Sequence, residues 1–550
     1  MTEKFLKYFH TIRFLKFRQI FWRILKRFKT TNTSAQNSIE LRDHRNDWHK
    51  VRMAQPQIFD KSTFAFLNKP NEYKDSIDWN DNKQEQLWLF NLHYFDDLCA
   101  PFDSQRNAWL RELVDDWIDN NPPMNGIGWE SYPLSLRIVN WIKWILNGEP
   151  INPRWLKSLK LQAHVLSQNI EYHLLGNHLL ANAKALIFAG LFFKGKQSEG
   201  WLDLGLKIYK EQLKEQVLSD GGHFELSPMY QNILVNDMLD LINIAKSYDH
   251  STLKAFIDDW NLKAGLMLSW ANIMKHPDNE ISFFNDATFG IAPKYSELLS
   301  YAHEIGVKKA LTSTENFGET KLTRLPESGY MRVEQDKLVA ILDCAHIGPD
   351  YLPGHGHADA LSFELSLHDI RVFVNSGISC YGLSEERVSQ RGTAAHNTVM
   401  IDGVDSSQVW SGFRVAKRAY PFDILVEGSD IDLNIACSHD GYKRLKNNNV
   451  HRRHWYFAHD VMTITDNLIG PYTTAKAYYL FHPDIVISAV CDYFVLTLPN
   501  LVEIILKVSG GEVRLTDTFW YPEFGRIVPT KGLEVDANSD NVVLSITGYS

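Results

Sequence analysis

Between residues 85 and 305 the apolar positions recur every three or four residues, the period of helices with one buried face. QEQLWLFNLHYFDDL, NAWLRELVDDWIDNN and SYPLSLRIVNWIKWILNG all follow it. In NHLLANAKALIFAGLFF the stripe is Leu179, Ala183, Leu186, Ile187 and Gly190; in ILVNDMLDLINIAKSY it is Leu234, Met238, Leu241, Ile242 and Ala245. Short Gly, Pro and Asn breaks separate these segments. About eight to ten helices in serial hairpins are expected, as in a bundle or an α/α toroid. Near residue 320 the period changes. GYMRVEQDKLVAILDCAH predicts two strands around a polar turn, and Val-, Ile-, Tyr- and Phe-rich runs then follow at a spacing of about 10 residues, as in an antiparallel sandwich. The expected division is a basic segment and linker over 1–45, a helical domain over 46–315 and a β-domain over 316–550.

The first 30 residues stand apart, because Lys or Arg interrupts their apolar positions every two to four residues. A cleavable signal needs an unbroken apolar core of roughly 7–15 residues, which this segment lacks. As a helix it is amphipathic, and two placements are open: peripheral contact with an anionic membrane through residues 1–30, or docking on the acidic body of the same chain. No apolar run reaches the roughly 18 residues of a membrane-crossing helix. A cytoplasmic location, or a peripheral one at the inner membrane face, is expected.

Composition narrows the partners. A net charge of -9 excludes a general nucleic-acid binder. The 5 cysteines have no CxxC spacing, which excludes a zinc ribbon and favours a reducing compartment. The 16 Trp and 22 Tyr suit sugar stacking as well as large cores. The sequence leaves the oligomeric state open.

Four places carry candidate chemistry. Asn177 and His178 open a helix. His223, Glu225 and Tyr230 follow a double glycine in DGGHFELSPMYQ. His355 and His357 in GHGHAD can face one side of an extended segment and meet His396, with Asn375, Ser376 and Tyr381 between them. Asn285 and Asp286 in FFNDATFG suit a sugar hydroxyl or a turn. Two reactions are open. Glu225 and Asp286 are an available pair for glycoside hydrolysis. Asn177, His178, Tyr230 and His355 instead supply a β-elimination from a uronic acid, which needs a donor for the carboxylate, a base and an acid.

The motifs GNHLLANAKAL, DGGHFELSPMYQ, PGHGHADALSFEL, VNSG followed by Tyr381, and RGTAAHNTVMIDG, with WESYPLSLRIVNWIKW and HDGYKRLKNNNVHRRHW, resemble the heparinase II/III-like polysaccharide lyases over residues 85–470. The resemblance implies an N-terminal α/α toroid, an incomplete barrel of helical hairpins, followed by an antiparallel β-sandwich. It implies β-elimination on an acidic, uronate-containing polysaccharide. Asn177, His178, Tyr230 and His355 would be catalytic, Glu225 and Tyr381 would line the cleft, and His357, Asn375 and His396 would hold a structural zinc; the residues themselves add Asn285 and Arg391 as substrate-binding candidates. Two departures stand out: Asn375, a poorer zinc ligand, stands in place of the expected Asp, so that a hydrogen-bonded substitute without metal is the open alternative to zinc, and the basic N-terminus resembles members tied to capsule or lipopolysaccharide metabolism. A non-catalytic binding or assembly protein of a surface-polysaccharide pathway is the alternative from another class. Because the chain is net negative, a cleft for a polyanion must be locally basic; Arg387, Arg391, Arg414, Lys417 and Arg418 are candidates.

Overall fold

A computed structural model describes residues 2–34, 38–44, 47–101, 104–248 and 250–549. Its helices run in order α1 Thr2–Ile12, α2 Phe17–Lys26, α3 Gln86–Tyr94, α4 Ser104–Asn120, α5 Ser131–Leu146, α6 Pro153–Gln168, α7 Gly176–Phe192, α8 Lys196–Gln216, α9 Pro228–Tyr248, α10 Lys254–Ile273, α11 Tyr295–Glu304 and α12 Glu385–Gln390. The helical stretch contains no strand among its described residues, as its periodicity predicts. Ahead of it a hairpin of Thr63–Phe66 and Lys69–Glu72 turns at Leu67 and Asn68, both left-handed, and sets Phe66 against Trp88 of α3.

Helices α5, α7 and α9 pack side by side as an inner layer, with α4, α6, α8 and α10 outside them. The layering follows from composition. In α7 every residue except His178 is buried, whereas α8 carries Lys and Glu along one exposed face. The single stripe expected for α7 is therefore an underestimate: it is apolar all round, and its one accessible side chain lies at its N-terminus.

Among the described residues the C-terminal half holds three large antiparallel sheets and a two-stranded ribbon of 409–410 with 414–415. A six-stranded meander spans 315–373, and a four-stranded sheet orders 511–523, 526–537, 475–480 and 399–401. A bridge between Phe373 and Phe481 continues the first into the second. An eight-stranded sheet supplies the facing layer, and Phe363, Phe373, Tyr479, Trp455, Ile464 and Leu544 share one dry core between the layers. This is the toroid-plus-sandwich fold that the resemblance implies.

The two halves are stitched by buried polar contacts. His276 sits between Ser366 Oγ at 2.7 Å and Glu364 Oε2 at 2.8 Å, the Tyr330 hydroxyl donates to Leu226 O at 3.0 Å, and Arg332 Nη1 donates to Ile273 O at 3.1 Å. A satisfied seam of this kind holds the groups that face across it in fixed register. The expected linker is partly anchored: Leu41 bridges to Phe193 and Arg42 pairs with Glu199 at 2.7 Å, while residues 35–37 and 45–46 lie outside the described residues.

Candidate active site

Two cavities, of ≈ 600 and ≈ 820 Å³, lie along the seam and share Leu87, Tyr94, Tyr132, Tyr230 and Tyr381 in their linings. These tyrosines form a waist. Asn177, His178, Glu225, His355 and Phe413 line the larger compartment. Asp96, Asn140, Lys143, Lys184, Asp237 and Asp240 line the other.

The backbone is bent to present this set. Gly176, at φ +58°, opens α7; a Cβ there would meet Glu225 Oε1 at 2.6 Å and Leu352 Cδ2 at 2.5 Å. Leu175, Leu226 and Asn285 all hold left-handed φ of 56–68°, a strain that the surrounding seam must hold in place. Proline at the first position of α9 sets its start, two residues before Tyr230. Gly356, between the two histidines, lets the loop lie on Ile347, whose carbonyl oxygen would be 2.5 Å from a Cβ.

Asp286 organises the β-side. Its carboxylate accepts from Arg387 Nη2 at 2.6 Å and from Arg387 Nη1, and it faces His355 Nδ1 and His357 Nε2, each at 2.8 Å. Burial opposes its charge, but Arg387 and the two histidines outweigh burial and hold its pKa well below the usual carboxylate range. Against an ionised carboxylate His355 Nδ1 carries the proton, which turns Nε2 toward Glu225. Glu225 Oε2 lies 3.6 Å from that Nε2 and has no hydrogen-bond partner; burial raises the Glu225 pKa. Tyr230 stacks on His355, with ring centroids 4.1 Å apart, and its hydroxyl is 3.1 Å from that of Tyr381. Burial, then each other's charge or that of Asp286, keeps both phenols well above their ordinary pKa.

On the toroid side His178 Nδ1 is 3.2 Å from Glu171 Oε1, and its ring lies 4.4 Å from that of Tyr132. Burial lowers the His178 pKa, but Glu171, then Glu225 and Glu130, reverse the shift and leave it raised. Beyond the waist, Lys143 reaches Asp240 at 2.9 Å, and Lys184 reaches Asp237 and Asp240 at 2.7 Å each. These ammonium groups are already matched by carboxylates.

Three expectations are corrected. Asn285 is not a substrate contact: its Nδ2 donates to Leu226 O and its Oδ1 accepts from His357 N, both at 2.9 Å, and it is buried. Arg391 stands behind the wall, donating to Gly356 O at 2.8 Å and Gly412 O at 3.1 Å, with burial lowering its pKa to about 9. It ties the histidine loop to the 411–413 loop. Asp286 cannot be half of a hydrolytic pair, because it is fully buried beneath His355 and spent on Arg387. Of the five basic candidates, Arg414 and Arg418 line the cavity, while Arg387 and Arg391 are internal.

His357, His396 and Asn375 do not fit a zinc site. His357 Nδ1 faces His396 Nε2 at 3.2 Å, and Asn375 Oδ1 lies 3.1 Å from the other nitrogen of His396, Nδ1. The donors form a line running to Asp286 rather than converging on a point, and no group of three His, Cys, Asp or Glu among the described residues could hold a metal. Burial lowers the pKa of His357 to about 4 and of His396 well below its usual value, so both are neutral. With Asp286 accepting from His357, and His357 from His396, the last acceptor is His396 Nδ1. Asn375 completes the line by donating through its amide once that amide is turned, at the expense of the 3.4 Å contact between Asn397 N and its Oδ1.

Tyr132 and Glu171 were not singled out as chemistry. Tyr132 lies within the WESYPLSLRIVNWIKW motif, but nothing in local spacing reveals Glu171, seven residues ahead of His178.

Among known proteins, the model of the heparinase II/III N-terminus matches residues 2–302, and that of the heparinase II/III-like C-terminal domain matches 318–547. A heparin-sulfate lyase of Bacteroides stercoris is 24% identical over 457 residues, 72% of this chain and 64% of that protein. A heparin-sulfate lyase of Pedobacter heparinus is 30% identical over 366 residues, 58% of this chain and 49% of that protein. The chain thus spans about half to just under two thirds of the length of these curated relatives. A crystal structure of heparinase III covers 87% of this chain and 80% of its own, with a TM-score of 0.67 at 18% identity, and shares the fold.

Proposed function

The chain belongs to the heparinase II/III family, and on that premise we propose that it is a polysaccharide lyase cleaving an acidic, uronate-containing polysaccharide by β-elimination. The observation that carries this reading is the convergence of Asn177, His178, Tyr230 and His355 on one cavity in which the second carboxylate needed for hydrolysis is buried and neutralised. The relatives' name, heparin-sulfate lyase, supports a glycosaminoglycan of that type as substrate.

The residues divide the work as follows. Elimination removes the C5 proton next to the uronate carboxylate and expels the C4 oxygen. Protonated His178, held by Glu171, and the Asn177 amide bind the carboxylate and stabilise the charge that develops on it as the proton leaves. His355 takes the C5 proton on Nε2; Asp286 fixes its tautomer and Arg387 keeps Asp286 ionised. Tyr230, whose raised pKa keeps its hydroxyl protonated, gives that proton to the departing oxygen, and Tyr381 orients the hydroxyl. The tyrosine waist then marks the scissile bond, with the uronate in the larger compartment.

The test is a panel of uronate polymers and neutral controls, read by the ultraviolet absorbance of the unsaturated sugar and by new reducing ends. Both signals rising together support elimination. Reducing ends without the chromophore would sink it, and intact polymer with measurable binding would favour a binding protein.

A further inference from the structure

The N-terminal helices α1 and α2 dock with the wrong face inward. A helix on a globular protein buries its apolar stripe and exposes its charges. Here the buried side is polar and cationic. Thr11 Oγ1 accepts from Trp410 Nε1 at 3.2 Å, Lys16 lies 3.7 Å over the Tyr351 ring and pairs with Glu215, and Gln19 Nε2 donates to Tyr351 O at 3.4 Å. Arg18 lies 4.4 Å over Tyr172, and Trp22 packs 4.8 Å from the same ring. The outward side carries Phe5, Phe9, Phe17, Phe21, Ile24 and Phe28, with Phe5, Phe17 and Phe28 exposed by 71%, 80% and 78%. A contiguous apolar face of this kind marks an interaction site.

Charge selects its occupant. Residues 1–30 hold nine Lys and Arg and a single acidic residue, in a chain whose net charge is -9. A second copy meeting this face symmetrically would set two strongly cationic segments against each other. A bilayer with anionic headgroups satisfies both features at once: the phenylalanines enter the acyl boundary and the basic rim meets the phosphates.

We propose that α1 and α2 are a docking element for an anionic lipid surface. Thr11, Gln19 and Arg23 of the same helices, with Leu15 from the turn between them, line the larger compartment beside His178 and His355. Docking therefore places one wall of the cleft directly against the bilayer, where a surface-tethered polymer would be presented.

The test uses the full chain with vesicles of phosphatidylcholine alone and of phosphatidylcholine mixed with phosphatidylglycerol, read by co-sedimentation at low and high salt. The variants are Phe17→Ser with Phe28→Ser, neither of which lines the cleft, and Leu501→Ser as an equally exposed control on the β-domain. The wild type and the control are expected on the anionic vesicles only, less so at high salt, and the double variant should lose at least about tenfold in partitioning with an unchanged melting curve. No partitioning, or equal partitioning of the double variant, overturns the proposal. So does self-association in sedimentation velocity that the double variant abolishes, since that would make a second copy the occupant.

Discussion

Replacing Tyr230 by Phe removes one oxygen and leaves the ring that stacks on His355 in place. The fold loses one partly buried hydrogen bond, that to Tyr381 at 3.1 Å, with a stability cost of about 0.5–1.5 kcal/mol. In a domain of this size that lowers the melting temperature by a few degrees at most. The chemical step loses its acid, worth about 10²–10⁴ in rate, or roughly 3–5 kcal/mol of barrier. The two effects are well separated, so turnover of a uronate polymer should collapse while the melting curve barely moves. The assignment of Tyr230 as acid makes a finer claim. A uronate that carries a good leaving group such as a nitrophenoxide at C4, the position from which elimination expels oxygen, needs no proton on departure, so the variant should recover most of its rate on that substrate. His355→Gln should be inactive on both, because proton abstraction from C5 is still required. Activity of Tyr230→Phe within about threefold of wild type on the polymer would refute a role for the hydroxyl. Failure on the activated substrate would move Tyr230 from acid to base.

Glu171→Gln withdraws the main charge that raises the His178 pKa. In the wild type the imidazolium persists above pH 6.5, and the stability of the pair, present below that value, is lost as pH rises through the raised pKa; the variant's alkaline limb of kcat/KM should move to lower pH. Gly176→Ala forces a side chain onto Glu225 at φ +58° and should cost about 1–3 kcal/mol in urea unfolding, with loss of turnover. An unchanged midpoint would show that the α7 entrance relaxes freely. Asn375→Asp sets a buried carboxylate against the acceptor nitrogen of His396 and should destabilise by about 1–3 kcal/mol, whereas chelator should leave the wild-type melting curve unchanged. A stable Asn375→Asp protein would contradict the direction assigned to that line of hydrogen bonds.

Much of the candidate site is visible as sequence. Asn177, His178, Glu225, Tyr230, His355 and Tyr381 sit in motifs whose Gly, Pro and His content is unusual beside apolar runs, and all line one compartment. What failed was the sorting of polar residues into those that face the cavity and those that hold its wall. Asn285 and Arg391 have the same chemistry as true cleft residues, yet their donors and acceptors are consumed by Leu226, His357, Gly356 and Gly412. Asp286 is the clearest case. It receives His355 and Arg387 from 69 and 101 positions away, and no local pattern encodes such a meeting.

Periodicity alone determined that helices precede strands, where the texture changes, and that the first 30 residues are amphipathic, because both follow from which side chains must leave water on a helix or a pleated strand. Tertiary structure decided the rest. It made Asp286 a buried anchor instead of a catalyst, drew three expected metal ligands into a line, and turned the apolar face of α1 and α2 outward. The physical reason is common to all three: a local pattern specifies which face of an element is apolar, but not what that face or its polar neighbours will meet. The pairing of buried charges and the partner of each donor depend on segments far apart in the chain.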